Sequence, residues 1–303
     1  MEDLHVQAPT EIIFLCGGPY TDVSTPGTAS MRDAFLKINS HPALGRREIV
    51  LAEDFTTLTT FSAHYGDILE FETDLAQITE LILLFCESAG SFAELGSFAS
   101  TLEIASKLLV IVRDHYWKDN SFIKLGPLMF LLRKHDSSVF VIDDAEVSII
   151  PGIGITVDLD KFKTIIDEPL RKRLTVAREP STFDNTRAGH VIKLIVGLVQ
   201  EYGALERSEI TEVLSVFGVP ADNQRLGAYI LCATSVGWIQ EQKKGFRDFI
   251  VSTVDQPAIH FVANAKALTK NRVRRRLLIR EHWEKNDPSR FRVISSAAVL
   301  TDD

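Results

Sequence analysis

The stretch CESAGSFAELGSFAS, residues 86 to 100, places two carboxylates, Glu87 and Glu94, on either side of a turn of small residues, directly after the apolar run LILLF. Five consecutive apolar residues closed by a turn predict a strand buried on both faces, and the spacing beyond it predicts a helix from Ser91 to about Ser106. Both carboxylates then lie near the carboxyl end of a central strand, the edge at which open α/β sheets bind ligands. A carboxylate ending an apolar strand carries a desolvation cost that calls for a hydrogen bond or a use. Two such groups beside one cleft suit retaining glycosyl chemistry, in which one attacks the anomeric carbon and the other manages protons or sugar hydroxyls. Glu94 has a second reading, because Ser91-Phe92-Ala93-Glu94 fits the capping box S-x-x-E and could serve the helix start alone.

Backbone N–H groups around Ser88, Gly90 and Ser91 would open a helix, where hydroxyl or phosphate oxygens can be held. The turn after the first apolar run, Cys16-Gly17-Gly18 in CGGPY, offers a second place for a nucleotide to approach main chain. The elements that must position these groups alternate short apolar runs with helical patterns. EIIFLC (11 to 16), REIVLA (47 to 52), LILLFC (81 to 86), KLLVIV (107 to 112) and SSVFVI (137 to 142) predict a Rossmann-like parallel α/β sheet with right-handed crossovers. A helix over 157 to 174 is expected to break or kink near Pro169. Arg32, Asp33 and His64 could also face the cleft, with a surface charge the favoured reading for each.

The polar run 177 to 189 reads as a linker, which divides the chain into a catalytic domain, 1–178, and a second domain, 179–303. Three helical patterns followed by a hairpin around Lys243, Lys244, Gly245 and Arg247 give the second domain the order of a winged helix-turn-helix. The helix beginning at Asn223, Gln224 and Arg225 offers a thin reading surface. A basic helix follows with Arg272, Arg274, Arg275, Arg276 and Arg280, suited to phosphates without reading sequence. Residues 256 to 303 carry ten Lys/Arg against five Asp/Glu, a balance of +5 in a chain of net charge −8, so the other 255 residues sum to −13. An acidic body with a basic tail points to an anionic partner at one end. Cys16, Cys86 and Cys232 lack C-x-x-C spacing, so neither a disulfide framework nor a structural metal site is expected. With no apolar run of about 20 residues and no signal-like start, a cytoplasmic chain with no membrane contact is expected.

IFLCGGPY, LAEDF, LLFCESAGSFAELGSFAS and FIKLGPLMFLLRKH, in this order, resemble the nucleoside 2-deoxyribosyltransferase-like domain, in the two-domain form of retron anti-phage effectors that also carry a winged helix. The resemblance implies an N-glycosidase with Glu94 as covalent nucleophile and Glu87 contacting the sugar or assisting proton transfer. It implies that Glu53 and Asp54 hold ribose or base, and it adds Asn120 and Lys124 as pocket residues. It further implies NAD+ as substrate, with no cofactor, and as partners the retron reverse transcriptase with its multicopy single-stranded DNA (msDNA), within a homo-oligomer or filament. A ligand-sensing regulator that binds DNA and a salvage deoxyribosyltransferase remain open alternatives.

Overall fold

The computed structural model describes residues 4–7, 11–56, 61–149, 156–176, 180–220, 222–262 and 269–300. Two compact units share the chain in alternation. The sheet unit takes Thr10–Asp54 and Thr79–Ala177, and the helical unit takes Met1–Pro9, Phe55–Ile78 and Arg178–Asp303.

The chain starts in the helical unit with β1 (Leu4–Val6). It enters the sheet unit for β2 (Ile12–Cys16), α1 (Met31–Lys37) and β3 (Glu48–Val50), and leaves it within α2 (Glu53–Thr56). α3 (Phe61–His64) and α4 (Ile68–Ile78) belong to the helical unit. The sheet unit resumes with β4 (Leu81–Cys86), α5 (Ala89–Ser100), α6 (Leu102–Ala105) and β5 (Leu108–Arg113). It closes with α7 (Asp114–Lys118), α8 (Met129–Lys134), β6 (Val139–Ile142) and α9 (Leu159–Leu174). α9 runs through Pro169 as one helix, so of the expected break or kink there is no break.

All pairings in the five-stranded sheet are parallel, in the order β3-β2-β4-β5-β6. Counted within the sheet this is 2-1-3-4-5, a doubly wound order that reverses between β2 and β4. β2 and β4 are buried at every residue, as apolar runs covered on both faces must be. On one face Ile13, Leu15, Leu83, Phe85 and Ile111 pack with Met31 and Phe35 of α1 and Phe162, Ile166 and Leu170 of α9. On the other, the rings of Phe14 and Phe98 meet edge to face at 6.0 Å.

The rest of the helical unit comprises β7 (Ser181–Thr182), α10 (Ala188–Tyr202), β8 (Ala204–Leu205), α11 (Arg207–Val216) and α12 (Asn223–Ser235). It ends with β9 (Ile239–Lys244), β10 (Arg247–Ser252), β11 (Ile259–Phe261), α13 (Arg272–Asn286) and α14 (Pro288–Leu300). β1 pairs antiparallel with both β11 and β7. β9 and β10 form the expected hairpin, turning at Gly245 with φ 65°, and β8 adds to β10.

The break expected at 178/179 falls outside the described residues. A single cut there does not separate the units, because 55–78 packs with the helical one. The reason is chemical. α4 buries Phe71, Leu75 and Ile78 together with Asp74, a charge that must be answered. Arg225 of α12 answers it with two hydrogen bonds of 2.8 and 3.0 Å, and the Tyr65 hydroxyl lies 3.0 Å from Asp74 Oδ2 and from the Ala228 carbonyl. Arg225 is therefore spent inside the unit rather than offered by a reading helix. Among the described residues, no helix is long and apolar enough to cross a membrane.

Candidate active site

The sheet order fixes where a crevice can open, because loops leaving the carboxyl ends of β2 and β4 part in opposite directions. Gly17-Gly18 follows Cys16 on one side and Glu87-Ser88 follows Cys86 on the other. The two loops meet where the Gly18 N–H donates to Glu87 Oε1 at 3.3 Å. The Arg32 N–H also donates to Oε1, at 3.1 Å, and the Met31 N–H to Oε2, at 2.7 Å. These two donors belong to the first turn of α1, whose N–H groups lack helical partners and attract an anion. Burial pushes the Glu87 carboxyl pKa up, and the backbone bonds oppose it. Holding three backbone donors, Glu87 is a strut that joins the β2 loop and α1 to β4.

That strut also accounts for both glycines. A Cβ on Gly17, at φ 151°, would lie 2.9 Å from Phe85 Cβ and 3.2 Å from Arg32 Cβ. On Gly18 it would lie 2.9 Å from Ser30 Cβ and 3.0 Å from Glu87 Oε1. Protein neighbours alone therefore demand the absent side chains. Cys16 is buried at the end of β2.

α5 begins at Ala89, two residues before the predicted start. Its N-cap is Ser88, whose Oγ accepts from Ser91 N at 3.2 Å while Ser91 Oγ accepts from Ser88 N at 2.9 Å. The Ser91 hydroxyl also accepts from Glu87 N at 3.0 Å and is fully buried. The capping box is thus Ser88/Ser91, not Ser91/Glu94, and it occupies the hydroxyls of both serines and the N–H groups of Ser88 and Ser91. Gly90 is exposed in the first turn.

Freed from capping, Glu94 lies in the second turn of α5 with Oε2 buried and without a hydrogen-bond partner. Burial raises its carboxyl pKa to about 7, while the nearby Arg32 guanidinium pulls it down and Glu53 pushes it up. Arg32 is no surface charge. It is 3% exposed, its Nη2 donates to Glu53 Oε1 at 2.7 Å, its guanidinium lies 4.8 Å from the Tyr20 ring centroid, and its Nε is buried without a partner. Burial raises the Tyr20 pKa, as do Asp54 and Glu53, and burial also raises that of exposed Asp54. The structure thus gathers Tyr20, Arg32, Glu53, Asp54, Glu87 and Glu94 at this end of the sheet. The sequence reading undervalued Arg32 because the fold, not its neighbours, buries it, although its place at the start of a helix after Ser30 was visible.

Asp33 is likewise buried. It accepts from the Thr21 and Ala29 N–H groups at 3.0 and 2.7 Å and pairs with Lys37 at 3.1 Å, pinning the loop ahead of α1. His64 is partly buried in the helical unit, with Nδ1 unpartnered and its ring where a side chain on Gly227 would stand. Asn120 is exposed after α7, and Lys124 lies 5.3 Å from the Trp117 ring centroid in a short π-helical turn. Asp114, His115 and Asp144 approach one another as metal ligands would, but Asp144 is paired with Arg113 and Asp114 with Lys118.

The basic residues divide. Arg247 is held by Glu206 and by Asp287, the latter at 2.9 Å. Arg272 and Arg275 converge on Glu201 at 3.6 and 2.6 Å. Arg280 bonds Ser295 Oγ at 3.3 Å and lies over the Phe291 ring. Lys243, Lys244, Arg274 and Arg276 are exposed.

Over 224 residues, 69% of this chain and 67% of the relative, the sequence is 27% identical to the Escherichia coli protein named "Retron Ec73 putative ribosyltransferase/DNA-binding protein". It is 41% identical to the E. coli "Retron Ec86 putative ribosyltransferase/DNA-binding protein" over 70 residues, 23% of this chain and 22% of that one. Residues 28–241, a span that holds Arg32, Glu53, Glu87 and Glu94, match the family model of a retron effector. With well over half of its length matched, the chain belongs to the STM3845 retron effector protein family.

Proposed function

We propose that this effector cleaves the N-glycosidic bond of NAD+ or a related nucleotide through a covalent bond between Glu94 and the ribose. The observation that carries the reading is the Glu94 carboxyl group where the sheet order reverses, with Oε2 buried and unpartnered and with burial raising its pKa to about 7. A carboxylate in that state is poorly solvated and ionised in substantial part at neutral pH, as a nucleophile should be. Its oxygen attacks C1′ while the bond from C1′ to nitrogen breaks and the electron pair passes to the ring nitrogen. Nicotinamide starts as a cationic pyridinium and leaves neutral, so this step needs no proton, whereas a purine would need one. Water then attacks C1′, Glu94 departs as carboxylate, and ADP-ribose and a proton are released. The term ribosyltransferase in the names of both relatives supports the reaction class, since transfer to another acceptor would share the first step.

In the helical unit, the order α10, α11, α12 and the β9–β10 hairpin is that of a winged helix-turn-helix. Exposed Lys243, Lys244, Arg274 and Arg276 would meet the phosphates of the RNA-linked msDNA, which together with the reverse transcriptase would hold the enzyme in check, in a homo-oligomer or filament. Membership of the family and the term DNA-binding in the relatives' names support this assignment.

The test is to incubate the purified protein, free and with its retron partners, with NAD+ or with deoxynucleosides, and to separate the products. Nicotinamide release that disappears in Glu94→Gln is the expected result. Base exchange between deoxynucleosides would instead mark a salvage transferase. No turnover together with tight duplex DNA binding would mark a regulator.

A further inference from the structure

Glu94 is not alone at this corner in having an unanswered buried atom, because Arg32 Nε, on the cation that acts on it, is another. Arg32 enters the corner from α1, Glu53 from α2, Glu87 and Cys86 from the end of β4, and Tyr20 from the loop after β2. Glu87 accepts from three backbone N–H groups. The Cys86 thiol is pushed up by burial and by Glu94 and Glu87, and the Tyr20 hydroxyl by burial and its acidic neighbours, so both stay neutral near pH 7. Asp54, beside Glu53 on α2, is exposed, and the charges that act on Glu94 are the Arg32 guanidinium and the Glu53 carboxylate. These two are ion-paired to each other at 2.7 Å, with Arg32 side chain 4% exposed and Glu53 47% exposed. The guanidinium is therefore shared. One edge is tied to a carboxylate at the solvent boundary, while Nε stays inside without a partner.

We propose that Arg32 is a positioning residue that sets the charge of the nucleophile Glu94, and that Glu53, by drawing on the same guanidinium, holds that charge back. This rests on the reading of Glu94 as nucleophile and adds the group that governs it. The physics is that of three charges in a corner with little water. A cation nearby favours the carboxylate form, an anion nearby disfavours it, and an anion that neutralises the cation does both at once. The two halves of one ion pair must then act on Glu94 with opposite sign. A pair that served only to hold α1 against α2 would not, because either loss would disturb the corner in the same sense.

The experiment follows the ionisation of Glu94 in two ways, in wild type, Glu94→Gln, Arg32→Gln, Arg32→Lys and Glu53→Gln. The first is the acid limb of kcat/KM for NAD+ against pH, and the second is a titration by NMR of protein labelled with 13C at the glutamate side-chain carboxyl, with the Glu94 signal assigned by its loss in Glu94→Gln. The expected wild-type midpoint is about 7. Arg32→Gln should raise it by about one pH unit, Arg32→Lys should return it towards wild type, and Glu53→Gln should lower it by about half a unit or more. Midpoints that move in the same direction in Arg32→Gln and Glu53→Gln, or that stay put in both, overturn the proposal. Should Arg32→Gln fail to fold, the half-exposed Glu53 still decides the matter through the sign of its shift. A wild-type protein that turns over no NAD+ counts against the functional reading, while the NMR midpoints still decide for or against the ion-pair proposal.

Discussion

The two units use charge in opposite ways. In the helical unit the conspicuous cations of the sequence are largely spent on carboxylates of the same unit: Arg225 on Asp74, Arg247 on Glu206 and Asp287, Arg275 on Glu201. At the end of the parallel sheet Glu94 Oε2 and Arg32 Nε are both buried with nothing to bond; the helical unit also leaves His64 Nδ1 and Arg290 Nε and Nη1 without a hydrogen bond, but there Arg290 is ion-paired with Glu209 and Asp287. Density of charge along a sequence is thus a poor guide to chemistry. A buried polar atom left unanswered by the fold is a better one, because it costs stability in the absence of a use.

The largest effect expected to sharpen this contrast is the loss of turnover in Glu94→Gln, about 10³-fold or more in kcat/KM for NAD+, measured by nicotinamide release. A variant within tenfold of wild type would break the comparison at its active end. Next is Asp74→Ala, which leaves Arg225 to the more exposed Glu70 at 2.8 Å and takes an acceptor from the Tyr65 hydroxyl, and should cost about 3 kcal/mol in denaturant unfolding. A cost below about 1 kcal/mol would mean that this pair is no more committed than a surface bridge.

Glu94→Gln should also stabilise the protein, by on the order of 2–3 kcal/mol at pH 8. The sign follows from a folded pKa of about 7 above the reference 4.5. The folded state disfavours the carboxylate, so wild type loses stability relative to the variant as pH rises through this window, and the two converge below about pH 4. Unfolding midpoints at pH 4 and pH 8 read the difference directly.

The smallest effect concerns the exposed cations. Arg274→Gln or Arg276→Gln should each flatten the log–log salt dependence of single-stranded DNA binding by about 0.7, as expected for one phosphate contact, whereas Arg275→Gln, paired with Glu201, should leave the slope nearly unchanged. Equal slopes for all three variants would erase the distinction between spent and offered cations.

Much of this was legible in the sequence. LILLFC and EIIFLC could only be strands buried on both faces, and the loops after them had to carry any site. Glu94 was singled out on that ground, with capping as its rival use. What decided between the two was a shift of the helix start to Ala89, which gave the capping box to Ser88 and Ser91. Local pattern admits both registers, and only the packing of α5 on the sheet distinguishes them. Arg32 was misjudged for a related reason. Its burial depends on Tyr20, Glu53 and the end of β4, which lie 12 or more residues away in sequence. α4 fell inside the expected catalytic domain, 1–178. An amphipathic pattern says that a face will be covered, but not by what, and Arg225 and Ala228, which meet Asp74 and Tyr65, lie more than 150 residues downstream.

The alternation of the chain between its two units has a practical corollary. Backbone continuity passes from one to the other four times, near residues 9, 54, 78 and 177. No single protease nick can release either as an intact fragment, and a truncation at the polar run near 180 would strip the C-terminal portion of α3, α4 and β1, the pieces that complete it. Producing one unit by itself calls for rejoining its segments in a new order, and any damage to either body is inherited by the covalent thread of both.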